Sequence, residues 1–118
     1  MEYQVVTTER FEKDVKYYAH KKKFSHIMDD IRGIIQELKN GNLLGNEVND
    51  LGLRENESAF KVRAVNTDTK AGQLNGYRLI YYVVKNDHEI YLLTIYYKKD
   101  QENIDKKQIL KLIESINV

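Results

Sequence analysis

GYRLIYYVVKNDHEIYLLTIYYKK, residues 76–99, holds two runs rich in β-branched and aromatic side chains, 77–84 and 89–97, separated by Lys85, Asn86, Asp87 and His88. Such side chains fit a pleated, packed surface, and an Asn-Asp pair supplies turn chemistry, so the segment predicts a β-hairpin. Neither run is interrupted by Gly or Pro. Antiparallel pairing sets the beginning of the first run beside the end of the second. Arg78, Lys98 and Lys99 are therefore expected together at the open end of the hairpin, away from its turn.

Working upstream, residues 66–75 (NTDTKAGQLN) are polar and contain Gly, which predicts a mobile loop. Residues 58–66 alternate, with Phe60, Val62 and Ala64 on one face of a strand and Lys61, Arg63 and Val65 on the other. Between 41 and 57, Gly41, Gly45 and Gly52 lie among Asn and Asp residues, which predicts an irregular segment anchored by Leu43, Leu44, Val48, Leu51 and Leu53. Ile27, Met28, Ile31, Ile34, Ile35 and Leu38 recur at helical spacing, with Ser25 as the expected cap, Phe24 as a staple and Asn40-Gly41 as the stop. Gly33 offers that helix a place for close approach to a neighbour. Phe11, Val15 and Ala19, with Tyr18 beside them, mark an earlier helix capped by Thr7 or Thr8 and closed by Lys21, Lys22 and Lys23. Tyr3, Val5 and Thr7 suggest an opening strand.

Downstream, Asp105 and Gln108 form a capping-box pattern ahead of Ile109, Leu110, Leu112, Ile113 and Ile116. The order strand, helix, helix, strand, strand, strand, helix predicts an α+β fold. A mainly antiparallel sheet of about four strands is expected, with an N-terminal helical hairpin on one face and a C-terminal helix.

The chain's 118 residues suit one domain spanning 1–118. An absence of cysteine excludes disulfides, a thiolate nucleophile and Cys-ligated zinc. The start, Met1-Glu2-Tyr3, lacks the pattern of a secretory signal, and no apolar run approaches the roughly 20 residues that cross a bilayer, so a cytoplasmic protein with no membrane partner is expected. Net charge is +1, but residues before Ser58 carry nine Lys or Arg against eleven Asp or Glu, and the remainder carries ten against seven. The strand-rich half is thus the side better suited to a polyanion.

Lys61, Arg63, Arg78, Lys98 and Lys99 bring cations from separate strands. Lys61 and Arg63 taken alone read first as a solvated strand face. Arg78, flanked by Tyr77 and Leu79, requires a partner, either a structural carboxylate or a bound anion. The nine tyrosines can stack on bases or fill the sheet, and alternation sends Tyr96 and Tyr97 to opposite faces. His20, His26 and His88 read as surface or capping residues, and His26 with Asp30 makes no metal site.

The run Phe60-Lys61-Val62-Arg63, then Gly76-Tyr77-Arg78-Leu79-Ile80-Tyr81, then Leu92-Leu93-Thr94-Ile95-Tyr96-Tyr97-Lys98-Lys99 resembles the RelE/ParE superfamily of bacterial toxins, its HigB-like and RelE-like branches in particular. The likeness covers nearly the whole chain. It implies a RelE-like microbial RNase fold and the toxin of a type II toxin–antitoxin system. The implied activity is that of a metal-independent mRNA endoribonuclease (an mRNA interferase) without a cofactor, acting on mRNA on the ribosome. The implied partners are that mRNA and a cognate antitoxin protein, with DNA reached only through the antitoxin.

Matched to the family pattern, Lys61 and Arg63 fall on its paired basic strand positions, Arg78 on its phosphate-binding arginine, and Lys98 or Lys99 on its basic position after the strand. Lys61, Arg63, Arg78 and Lys99 are the implied catalytic residues, and Lys98, Tyr96 and Tyr97 the implied RNA contacts. Some members carry a catalytic tyrosine in or near the last helix, where this chain reads Asn103-Ile104-Asp105. The alternative within the same fold is a noncatalytic, ParE-like poison of DNA gyrase.

Overall fold

The computed structural model describes residues 2–101 and 103–116. The hairpin forms as the sequence predicts: β4 (Tyr77–Val84) and β5 (Glu89–Tyr97) pair antiparallel, with Tyr77 opposite Tyr97 and Val84 opposite Glu89. The turn is one 3-10 turn over Lys85–Asp87, closed by His88 in the left-handed region at φ 53°. Leu93 is an extra residue in β5, because Ile80 pairs with Thr94 while Tyr81 pairs with Leu92. This bulge resets the alternation, so Leu92 and Ile95 point to the same side of the sheet. From α1 (Glu9–Lys16), the Asp14 carboxylate accepts bonds from the Thr94 hydroxyl and from the Ile95 N–H at 3.1 Å.

The sheet has five strands rather than about four, in the order β1-β5-β4-β3-β2. β1 (Gln4–Thr7) lies parallel to β5, β3 (Glu57–Ala64) is antiparallel to β4, and the two-residue β2 (Asn46–Glu47) borders β3. β2 falls in the segment expected to be irregular. At φ +94°, Gly45 leads into it, and a Cβ there would come within 2.4 Å of the Lys61 carbonyl oxygen. Only glycine permits so close an approach between this edge and β3.

Side chains alternate to two apolar layers. Val62, Tyr77, Leu79, Tyr81, Ile95 and Tyr97 pack under the first two helices with Phe11, Ile27, Ile31 and Leu38. On the reverse face Ala59, Ile80, Tyr82, Leu93 and Tyr96 pack with Leu51 and with Ile109 and Ile113 of α3 (Lys106–Ile116). α3 starts on the expected reciprocal bonds, Gln108 N–H to Asp105 Oδ1 at 2.8 Å and Asp105 N–H to Gln108 Oε1 at 3.1 Å.

The N-terminal helices depart from expectation in detail. Thr8 caps α1, accepting the Phe11 N–H at 3.3 Å. The chain then widens into a π-helical turn over Tyr17–Lys21 and reverses at Lys23, whose φ is 63°. α2 (Ile27–Lys39) is capped not by Ser25 but from a distance, by Asp68, whose Oδ2 accepts the His26 N–H at 3.0 Å. Its end is the predicted Asn40-Gly41 stop, with Gly41 N–H on Leu38 O and Asn42 N–H on Glu37 O at 3.0 Å each. Gly33 is exposed, and a Cβ there would meet nothing within 4 Å, so it serves no close packing. Met28, placed on the apolar stripe by spacing, is 42% exposed. No described helix is long and apolar enough to cross a membrane.

Candidate functional site

Alternation along β3 sends Val62 and Ala64 under the first two helices and Lys61 and Arg63 to the α3 side. β4 adds Arg78, directly opposite Arg63 in register. The edge strand brings Asn46 opposite Lys61, and the turn after β5 brings Lys98, whose N–H is bonded to Gly76 O at 3.0 Å. Asn103, on the way into α3, completes an open hollow of about 400 Å³ lined by Asn46, Lys61, Arg63, Arg78, Lys98 and Asn103. Four cations and two amides face one space, and no described carboxylate lines it. That composition suits an anion.

Arg78 is the fixed member. It is 6% exposed, and its guanidinium donates from Nη1 to Gln73 O at 3.1 Å and to Tyr77 O at 3.3 Å, and from Nη2 to Leu74 O at 2.9 Å. Within the chain its partners are therefore not a carboxylate but backbone carbonyls, two in the 66–75 segment and that of Tyr77. An arginine has five N–H donors, so with three engaged the Nε–H and one Nη2–H remain for a ligand. Burial, then the neighbouring Arg63 charge, pull the Arg78 guanidinium below its ordinary range. A cation so placed gains from any anion that enters.

The 66–75 segment, expected to be mobile, is held at several points. Asn66 and Ala71 bridge backbone to backbone, Thr67 donates from N–H and hydroxyl to the Asp30 carboxylate at 3.0 and 2.9 Å, and Asp68 meets His26 Nδ1 at 2.8 Å. A Cβ on Gly76 would sit 2.1 Å from Ala64 O, so the loop re-enters β4 through a gap that admits only glycine. These restraints fix the carbonyls that fix Arg78.

Lys61 is half-buried, its ammonium bonded to Asn103 Oδ1 at 3.1 Å. Arg63 is exposed. Lys99 is exposed in the turn after β5 and does not line the hollow. Neither tyrosine lines it either. Tyr96 is 3% exposed in the α3-side layer, opposite Arg78, and burial raises its phenol above the ordinary range while the Arg78 charge opposes that rise. Tyr97 belongs to the opposite layer, its ring 5.3 Å from Phe24 and 6.1 Å from Tyr77. Sequence reasoning missed Asn46 and Asn103. Asn103 carried a weak signal, standing just before the capping box where the chain must turn back over the sheet.

No family model matches the chain, and no curated protein does. Among solved structures, a free-state mutant of the E. coli toxin RelE, in which two arginines are replaced by alanine, matches over 86% of this chain and 90% of its own. The TM-score is 0.52 and the identity 14%. The chain thus has a RelE-like fold, at an identity where likeness speaks to fold alone.

Proposed function

We propose that this RelE-like chain is the toxin of a type II toxin–antitoxin pair, a cytoplasmic endoribonuclease that cuts mRNA on the ribosome without a metal and is neutralised by a cognate antitoxin. One observation carries the reading: Lys61, Arg63, Arg78 and Lys98 share a hollow with no described carboxylate, on a fold that a protein named a toxin also has. In such cleavage the ribose 2′-hydroxyl gives up its proton and attacks the adjacent phosphorus, the bond from phosphorus to the next nucleotide's 5′-oxygen breaks as the new bond forms, and the products are a 2′,3′-cyclic phosphate and a 5′-hydroxyl protonated from solvent. Charge grows on the phosphoryl oxygens, and donors already in position stabilise it.

Arg78 would hold the phosphate, since its orientation is set before any ligand arrives. Arg63 and Lys98 add charge from two further directions. Lys61 is the candidate for taking the 2′-hydroxyl proton, because it lines the hollow and its side-chain nitrogen is held by Asn103 Oδ1 at 3.1 Å rather than by a carboxylate. Lys99, Tyr96 and Tyr97 lie off the lining, so they are not placed in this step. The antitoxin would neutralise by presenting acidic side chains to the same cations.

The test is primer extension on mRNA incubated with translating ribosomes and purified protein. Wild type should give discrete cuts, and the double variant Lys61→Ala, Arg63→Ala should lose about 10²-fold or more in rate. A double variant that cuts and arrests growth as well as wild type would refute the assignment. Inhibition of gyrase supercoiling with no RNA cut would replace it with the ParE-like reading.

A further inference from the structure

Beside the hollow lies a second, larger groove of about 620 Å³, walled by Val48, Ile80, Ile104 and Ile109 and edged by Asp105, Lys106 and Lys107. The two spaces share Lys61 and Asn103, so they form one track with a change of character along it. The hollow is cationic. The groove has apolar walls, with Lys61, Lys106 and Lys107 at its margin, where the phosphates flanking a base would lie, and Asp105 as its single described carboxylate. The ring of an unpaired nucleobase fits those walls: it is uncharged, its faces suit the isoleucines, and it hangs one sugar away from the phosphate it accompanies.

Asp105 is placed to choose among bases. Its Oδ1 is engaged by the Gln108 N–H at 2.8 Å, which fixes the carboxylate, and Oδ2 has no partner among the described residues. A carboxylate oxygen accepts from an exocyclic amine and repels a carbonyl oxygen. Cytosine offers an amine where uracil offers a carbonyl.

We propose that this groove binds the nucleobase next to the phosphate held in the hollow, and that Asp105 makes it prefer an amino-bearing base, cytosine over uracil. The inference rests on the ribonuclease reading for its ligand, and the experiment separates the two. The full chain, labelled for amide and methyl NMR, is titrated with 2′-O-methyl tetranucleotides of cytidine and of uridine, which cannot be cleaved. Cytidine should shift Val48, Ile104 and Ile109 together with Arg63 and Lys98, and should bind about fivefold or more tighter than uridine. Asp105→Asn keeps a good helix cap, so the fold is retained while the preference is lost or reversed.

Shifts confined to Arg63 and Lys98 would overturn the groove and leave the phosphate site standing. Shifts nowhere would overturn both. Equal binding of the two oligomers by wild type would overturn the role of Asp105.

Discussion

Arg78 and Arg63 face each other across β3 and β4 with opposite consequences for the fold. Arg78 is buried and holds three carbonyls, whereas Arg63 is exposed and lies against a like charge. Arg78→Ala should therefore cost about 1.5–3 kcal/mol in urea unfolding, the range for hydrogen bonds to a charged group. Arg63→Ala should unfold within about 0.5 kcal/mol of wild type. Activity lost in both variants but stability lost in only one would separate binding from scaffolding. A third residue, His26, joins α2 to the same loop through Asp68, with Asp29 and Asp30 also near it. The Asp68 hydrogen bond and charge raise the imidazole's pKa, so its contribution is complete below the ordinary value of about 6.5 and fades as pH rises through the raised one. The His26 hydrogen bond lowers the Asp68 pKa, so that half is complete above the ordinary carboxylate range and fades as pH falls through the lowered value. The clasp is whole between the two. The difference in melting temperature between wild type and His26→Ala should be largest near about pH 5.5 and shrink towards about pH 9. A difference that grows with pH would contradict the pairing.

Whether an element could be foreseen depended on how local its causes are. The hairpin, the capping box at Asp105 and Gln108, and the Asn40-Gly41 stop are specified by residues within a few positions of one another, and all three form as the sequence indicates. The α2 cap comes from Asp68, far along the chain, so the nearby Ser25 drew the assignment. β2 is two residues whose extended form is imposed by pairing with Lys61 and Phe60, and the Leu93 bulge is hidden inside an unbroken apolar run. The π turn over Tyr17–Lys21 ends at Lys23 in the left-handed region, which side chains with a Cβ occupy at a cost. Lys23→Gly should stabilise the protein by about 1 kcal/mol, read from chemical denaturation, since glycine relieves that cost at the usual helix-stop position. Destabilisation would show that the Lys23 side chain makes a compensating contact.

For the molecule as a whole, two apolar layers on one sheet leave its cationic corner open, and this corner was only partly legible. Alternation placed Lys61 and Arg63 together on one face, but which lysine after β5 turns inward, and what holds Arg78, depend on the 66–75 and 98–103 segments, where no periodicity speaks. On the proposed reading this corner takes single-stranded RNA with counterion release, so affinity for an oligonucleotide should fall linearly in log–log terms with salt. Removing one contact, as in Lys98→Ala, should make the slope shallower by about 0.7 in oligonucleotide titrations. An unchanged slope would place Lys98 off the backbone path. The parallel pairing of β1 with β5 bears on how the molecule comes into being. Gln4 and Val5 are made more than eighty residues before their neighbours Glu89 and Ile90, so β1 must wait for its pairing until the hairpin has been synthesised. The sheet closes on β1 last, and a nascent chain halted before the hairpin leaves that strand without its ladder partner.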